Sequence, residues 1–180
     1  TTNYILSFGG NPEASAGVIG VTRHAEARER GAKRVQIEPH LSVTGACSAE
    51  WVPIRPKTDP AFMYGLIHVM LHEMPRERLD LEFLTDHTGS PYLVAPNVYF
   101  LRDPISHKPL MWDTRSNTAL PFDTEGIAPA LEGSFTASGI EVGADEETWQ
   151  HEDIQVATAF TGLVKQMVEY TPEWAEEICQ

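Results

Sequence analysis

Apolar and polar positions in the first forty residues follow two periods in turn. Tyr4-Ile5-Leu6-Ser7-Phe8 is a short β-prone run closed by Gly9-Gly10. Asn11 can then cap a helix, and Pro12 can sit in its first turn. Over residues 12–30, Val18, Val21 and Ala25 recur at helical spacing. Arg23, Glu26, Arg28, Glu29 and Arg30 take the other face, and Gly31 supplies a C-cap. Val35-Gln36-Ile37 makes a second strand ended by Glu38-Pro39. A strand, helix and strand this close together imply parallel pairing and a right-handed crossover.

The pattern continues with a third strand at Trp51-Val52-Pro53-Ile54 and a turn-rich run, Arg55-Pro56-Lys57-Thr58-Asp59-Pro60. Asp59 is placed to cap a helix over residues 61–73. That helix is apolar nearly all round through Phe62, Leu66, Ile67, Val69, Met70 and Leu71, which predicts burial between other elements. A shorter helix is predicted over residues 76–86. In residues 90–150, Pro91, Pro96, Pro104, Pro109, Pro121 and Pro129 break every period. An irregular excursion is expected there, with Val98-Tyr99-Phe100-Leu101 and Leu110-Met111-Trp112 paired as a hairpin. Helical spacing returns over residues 153–170, and Thr171-Pro172-Glu173 starts a last helix. The fold class predicted is α/β: a three-layer, mainly parallel, Rossmann-like sheet. Residues 1–89 form its cofactor-binding half, residues 90–152 the excursion, and residues 153–180 helices packing back on the same domain.

Composition narrows the function. The 180 residues carry 13 basic and 26 acidic side chains, for a net charge of −13. That charge opposes the counterion release on which nucleic-acid affinity depends, so neither nucleic acid nor an anionic membrane is an expected partner. No apolar run approaches the roughly 20 residues of a membrane span. The two cysteines, Cys47 and Cys179, lack CxxC spacing and read as free thiols. The chain opens on Thr1-Thr2-Asn3 without an initiator Met or a signal-peptide pattern, and we expect an interior segment of a longer protein.

A strand, a Gly-Gly turn, a helix, a strand and a terminal acid can seat a nucleotide. Glycines let backbone amides approach a pyrophosphate, the helix start is electropositive, and an acid accepts ribose hydroxyls. Gly9, Gly10, Asn11 and Glu38 fit those roles, although Gly-x-Gly-x-x-Gly is absent; the same residues also make an ordinary strand-to-helix turn. Asp59 could accept both N1–H and N2–H of guanine, or could simply cap its helix.

Three segments resemble successive cofactor loops of the molybdopterin oxidoreductases of the dimethyl sulfoxide reductase family. They are Phe8-Gly9-Gly10-Asn11-Pro12-Glu13-Ala14-Ser15, Ile37-Glu38-Pro39-His40-Leu41-Ser42 and Trp51-Val52-Pro53-Ile54-Arg55-Pro56-Lys57-Thr58-Asp59. Residues 83–88 and Tyr170-Thr171-Pro172-Glu173-Trp174-Ala175 also resemble family segments. The resemblance implies a cofactor, bis-molybdopterin guanine dinucleotide with molybdenum or tungsten, and a 4Fe-4S cluster outside this segment. Gly9, Gly10, Asn11, Pro12 and Ser15 would touch the pyrophosphate and pterin side of one nucleotide arm. Glu38, His40 and Ser42 would hold ribose and phosphate, and Lys57, Thr58 and Asp59 would surround the guanine. The sequence departs from the family at Glu38-Pro39-His40, where Asp-Pro-Arg is common, and at Lys57, where glycine is. Implied partners are an iron-sulfur electron-transfer subunit, together with the remaining domains of the large catalytic subunit, in the periplasm or cytoplasm of a prokaryote. No catalytic or metal-ligating residue is assigned, and the segment alone would be inactive. Two other readings stay open: a fragment of an NAD(P)-dependent Rossmann dehydrogenase, and a non-enzymatic nucleotide-binding or interaction module.

Other constellations are set aside. His68 and His72 stand four apart on one helical face but lack the glutamate of a zinc hydrolase motif, and packed histidines are the simpler reading. Ser106, His107 and Asp113 have no nucleophile elbow. Trp112, Asp113 and Arg115 read as a turn with a solvated ion pair.

Overall fold

The computed structural model describes residues 2–143 and 147–180. Its elements run β1 (Tyr4–Phe8), α1 (Pro12–Ser15), α2 (Gly17–Glu29), β2 (Lys33–Ile37), α3 (Val43–Ala46), β3 (Glu50–Val52) and α4 (Asp59–His68). There follow α5 (Leu81–Asp86), β4 (Leu93–Val94), β5 (Leu101–Arg102), β6 (Leu110–Asp113), β7 (Thr118–Pro121), β8 (Ser134–Val142), β9 (Thr148–Thr158), α6 (Ala159–Gln166) and α7 (Pro172–Cys179). Residues up to Val69 together with Tyr170–Gln180 form one compact unit, and Met70–Glu169 form a second.

In the first unit β1, β2 and β3 make a parallel sheet in that order. β2 is central, and all its residues after Lys33 are buried. Period-two alternation sorts them. Val35 and Ile37 enter an apolar core with Ile54, Ala61 and Cys179, packed by Phe8, Phe62 and Trp174. Arg34 and Gln36 lie on the opposite face, equally inaccessible. Polar atoms buried there need partners: Arg34 finds Glu13 of α1, and Gln36 Nε2 finds the Gly10 carbonyl and the Glu38 carboxylate, while Gln36 Oε1 has no partner among the described residues. Helix α7 starts as its sequence predicts: the Thr171 hydroxyl accepts the Trp174 amide at 3.2 Å and Pro172 follows in the first turn. It packs on α4 at a close approach, because a Cβ added to Gly65 would lie 3.0 Å from that of Ala175.

Several expectations are corrected. The helix over residues 12–30 is two helices, broken where Gly17 takes φ +67. Val18, assigned to its core face, is 83% exposed. Gly31 does close α2 with φ +89. The helix over residues 61–73 starts earlier, at Asp59, and ends as the π-helical turn Val69–Glu73. The segment over residues 76–86 divides into the 3₁₀ turn Arg76–Arg78 and α5.

The fold as a whole is mixed α/β with several sheets, and the largest is antiparallel, not the mainly parallel sheet expected. The second unit carries it, in the order β4-β9-β8-β5, beside a β6-β7 hairpin. Residues 90–143 and 147–150 therefore carry strands rather than an irregular excursion. Their prolines stand where strands lose no ladder donor: Pro109 precedes β6 and Pro121 ends β7. The expected hairpin pairs differently, since β5 joins β8 and β6 joins β7. Leu93, Leu101, Leu110, Ala137 and Val156 form the core, with Trp112 stacked on Phe135 at 4.5 Å. Residues 153–158, predicted helical, belong to β9, because Val156 and Thr158 are buried at strand spacing; the helix begins only at Ala159. Both cysteines are free thiols, Cys47 exposed and Cys179 buried.

Candidate functional site

Phe8, Ile37 and Val52 are in register across the parallel sheet. The segments that follow them, residues 9–11, 38–42 and 53–58, therefore leave from one edge, at the carboxyl ends of the strands. Open α/β sheets bind ligands at that edge.

The first loop turns on Gly9, at φ +61, a conformation that costs glycine little. The Gly10 amide donates back to the Phe8 carbonyl at 2.7 Å, and the Gly9 amide donates to Ile37 at 2.9 Å. Both glycine amides are thus used to build the turn, which corrects the expectation that they face a pyrophosphate. Asn11 does not cap α1 with its side chain. Its Oδ1 instead accepts from the Thr44 amide at 3.2 Å and the Thr44 hydroxyl at 2.8 Å. The Ser15 hydroxyl donates to the Asn11 carbonyl at 2.9 Å, and Pro12 opens the helix as expected.

In the second loop Glu38 is 2% exposed and turned inward. Its Oε1 accepts the Ser42 amide at 2.7 Å and its Oε2 accepts Gln36 Nε2 at 2.9 Å; Gln36 also donates to the Gly10 carbonyl at 2.8 Å. Burial pushes this carboxyl up, but the Ser42 amide and hydroxyl, the Gln36 amide and nearby His40 outweigh it and hold the group below its usual range. The carboxylate therefore braces the loop and has no exposed oxygen for a ribose. His40 is exposed, and the Ser42 hydroxyl is occupied in capping α3, accepting from Gly45 at 3.1 Å.

The third loop places Lys57 at φ +71, exposed to solvent. Thr58, not Asp59, occupies the cap position of α4, and its hydroxyl donates to the Arg55 carbonyl at 2.7 Å. Asp59 is the first helical residue and half-buried, and among the described residues its carboxylate has no hydrogen-bond or ion-pair partner.

A cavity of about 360 Å³ in the same unit, bounded by Val52, Ile54, Phe62, Leu66, Ala175 and Cys179, includes none of the candidate residues. Thr44 and Gln36, fully buried and central to the site's framework, escaped the sequence reading. The period-two position of Gln36 between Val35 and Ile37 was the available clue.

His68 is buried, and His72 Nε2 lies 3.0 Å from the Val164 carbonyl. Among the described residues no group of three or more His, Cys, Asp or Glu is placed to hold a metal ion. Asp113 is not part of a solvated ion pair: it is buried on β6, accepting the Ser116 and Ala128 amides at 2.8 Å each. Ser106 and His107 sit in a separate turn organised by Asp103, whose carboxylate accepts the Ser106 amide and hydroxyl. No helix among the described residues is long and apolar enough to cross a membrane.

The sequence is similar to parts of several oxidoreductases. It is 34% identical over 88 residues to the thiosulfate reductase molybdopterin-containing subunit PhsA of Salmonella typhimurium, covering 49% of this chain and 11% of that protein. Over 73 residues it is 42% identical to dimethyl sulfoxide reductase DmsA of Escherichia coli, covering 38% and 9%. A longer match, 25% identical over 168 residues, is to a sulfite dehydrogenase polypeptide of Allochromatium vinosum, covering 86% and 16%. The chain thus spans only 9–16% of the length of these relatives. No family model matches it.

Proposed function

We propose that the first unit holds one guanine-nucleotide arm of a bis-molybdopterin guanine dinucleotide, within a molybdenum- or tungsten-dependent oxidoreductase. The observation that carries this reading is the Asp59 carboxylate, half-buried and unpartnered at the carboxyl edge of a parallel sheet. Two acceptor oxygens match the N1–H and N2–H of guanine, which adenine cannot offer. The donor set fits a nucleotide at this end: Lys57 stands beside Asp59, and His40 is exposed on the neighbouring loop. The likeness to a molybdopterin-containing reductase supports the choice of cofactor.

The bound group would supply redox chemistry at its metal; the residues of this chain bind and orient its nucleotide end. Asp59 selects the base with Lys57 beside it, His40 offers a ring N–H to phosphate, and Gly9, Pro12 and Glu38 shape the loops that carry these groups. Thr58, Ser15 and Ser42 set local turns through hydroxyls already engaged. In the whole protein the three parallel strands belong to a three-layer Rossmann-like domain. An iron-sulfur cluster and an electron-transfer partner lie beyond this segment.

The test is Asp59→Ala in the protein purified from a host that makes the guanine dinucleotide cofactor. Loss of a bidentate charge-assisted contact worth about 2–3 kcal/mol lowers retained guanine nucleotide more than about tenfold. Undiminished guanine release on acid hydrolysis, or adenine nucleotide in the wild type, would sink the reading.

A further inference from the structure

We infer that Thr44 is a positioning residue that commits the side-chain NH₂ of Asn11 to an anionic oxygen of the ligand. The inference rests on the nucleotide reading above and concerns one orientation. An amide oxygen and nitrogen are interchangeable in shape, so only neighbours decide which way the group points. Here the Thr44 backbone N–H, at 3.2 Å, can only donate, so the Asn11 atom facing it is the oxygen. The Thr44 hydroxyl donates to the same oxygen at 2.8 Å, and in turn accepts the Glu13 amide at 3.0 Å. That chain of bonds leaves no freedom for a flip. Asn11 Nδ2, with its two donors, has no partner among the described residues, and Asn11 is half-buried at the start of the first loop.

The surrounding framework makes the arrangement stiff. Thr44 is fully buried, and on the same face Gln36 ties the Gly10 carbonyl to the Glu38 carboxylate. Arg34, 6% exposed, donates to Glu13 Oε1 at 2.7 Å and so fixes the residue whose amide reaches Thr44. With both glycine amides consumed in the turn, the Asn11 carboxamide is the side-chain donor at the start of α1 that this turn offers to a phosphate oxygen. A donor held in place before binding loses little rotational freedom on binding.

Three variants of the protein, purified from a host that makes the guanine dinucleotide cofactor, test this. Two quantities are read: guanine nucleotide released on acid hydrolysis per protein, and hydrogen exchange at the Glu13 amide. Asn11→Asp keeps an acceptor for Thr44 but presents a carboxylate where the NH₂ was. It is expected to retain slow exchange at Glu13 and to lose guanine nucleotide about tenfold or more, the worth of one hydrogen bond to a charged group. Thr44→Val keeps shape but removes the hydroxyl, so exchange at Glu13 accelerates and nucleotide falls comparably. Thr44→Ser restores the hydroxyl and both readouts. Wild-type nucleotide content in Asn11→Asp, or in Thr44→Val with its Glu13 amide exchanging fast, overturns the inference. Wild-type protein free of guanine nucleotide instead overturns the functional reading, and the donor role with it, while Glu13 exchange in Thr44→Val still reports whether the link exists.

Discussion

Replacing Lys57 by glycine is expected to stabilise the first unit while weakening its hold on a nucleotide. Lys57 is a non-glycine residue at φ +71 in the loop before α4. An L-residue in that left-handed region carries a penalty of about 1–2 kcal/mol from its Cβ. Glycine removes the penalty but gives the unfolded chain more freedom, which costs about 0.4–1 kcal/mol. The difference favours the folded variant by roughly 0.5–1 kcal/mol, several degrees in the midpoint of a small domain. Urea unfolding is the cleaner assay, because an unchanged slope shows that the unfolded state has not altered its compactness. Lys57→Ala is the control: it keeps the Cβ and the strain but loses the ammonium. Retained guanine nucleotide should fall in both variants, whereas stability should rise only with glycine. A Lys57→Gly protein no more stable than Lys57→Ala would refute the strain argument. Nucleotide retention unaffected in both would remove Lys57 from the site.

Two further outcomes test the second unit. Leu101 is wholly buried in the core of the antiparallel sheet, and Leu101→Ala should cost about 2–5 kcal/mol in chemical denaturation; a loss well below that range would mean the core collapses around the missing side chain. Asp113 is held down to about 2, chiefly by the Ser116 hydroxyl and then by the Ala128 and Ser116 amides. A depressed folded-state carboxyl contributes stability that is complete above its unfolded value of 3.8 and disappears as pH falls through about 2. Stability should therefore decline across that window, and Asp113→Asn should flatten the decline; an identical acid profile in the variant would show that other groups govern it.

Local grammar made part of this molecule readable in advance. Gly9-Gly10 after a β-prone run, Gly31 after α2 and Thr171-Pro172 before α7 each act through their own backbone conformation or the next few residues, and each stands where the sequence places it. Within residues 90–143, β4 and β5 were opaque because each is only two residues long and pairs with a strand distant in sequence. β4 joins β9 and β5 joins β8, and nothing in the residues immediately around them announces the match. At the site, the three loop segments and the parallel pairing of β1 and β2 were legible, but the direction of side chains was not. Glu38 turns inward because Gln36 and the Ser42 amide are there to receive it, and Asn11 turns sideways because Thr44 is. Helix spacing from Val156 onward was real, yet burial at Val156 and Thr158 shows that β9 claims the first positions of that run.

The first unit is discontinuous, closed by Trp174, Ile178 and Cys179 packing into a core begun more than a hundred residues earlier. On a ribosome, β1, β2 and β3 emerge long before α7 does, and Met70–Glu169 can fold in the interval. Gly65 waits for Ala175, and the Arg55 amide waits for the Cys179 carbonyl. The loop that carries Asp59 is therefore secured only after Met70–Glu169 have been made, so a ligand meets a finished grip only once α7 has joined the core.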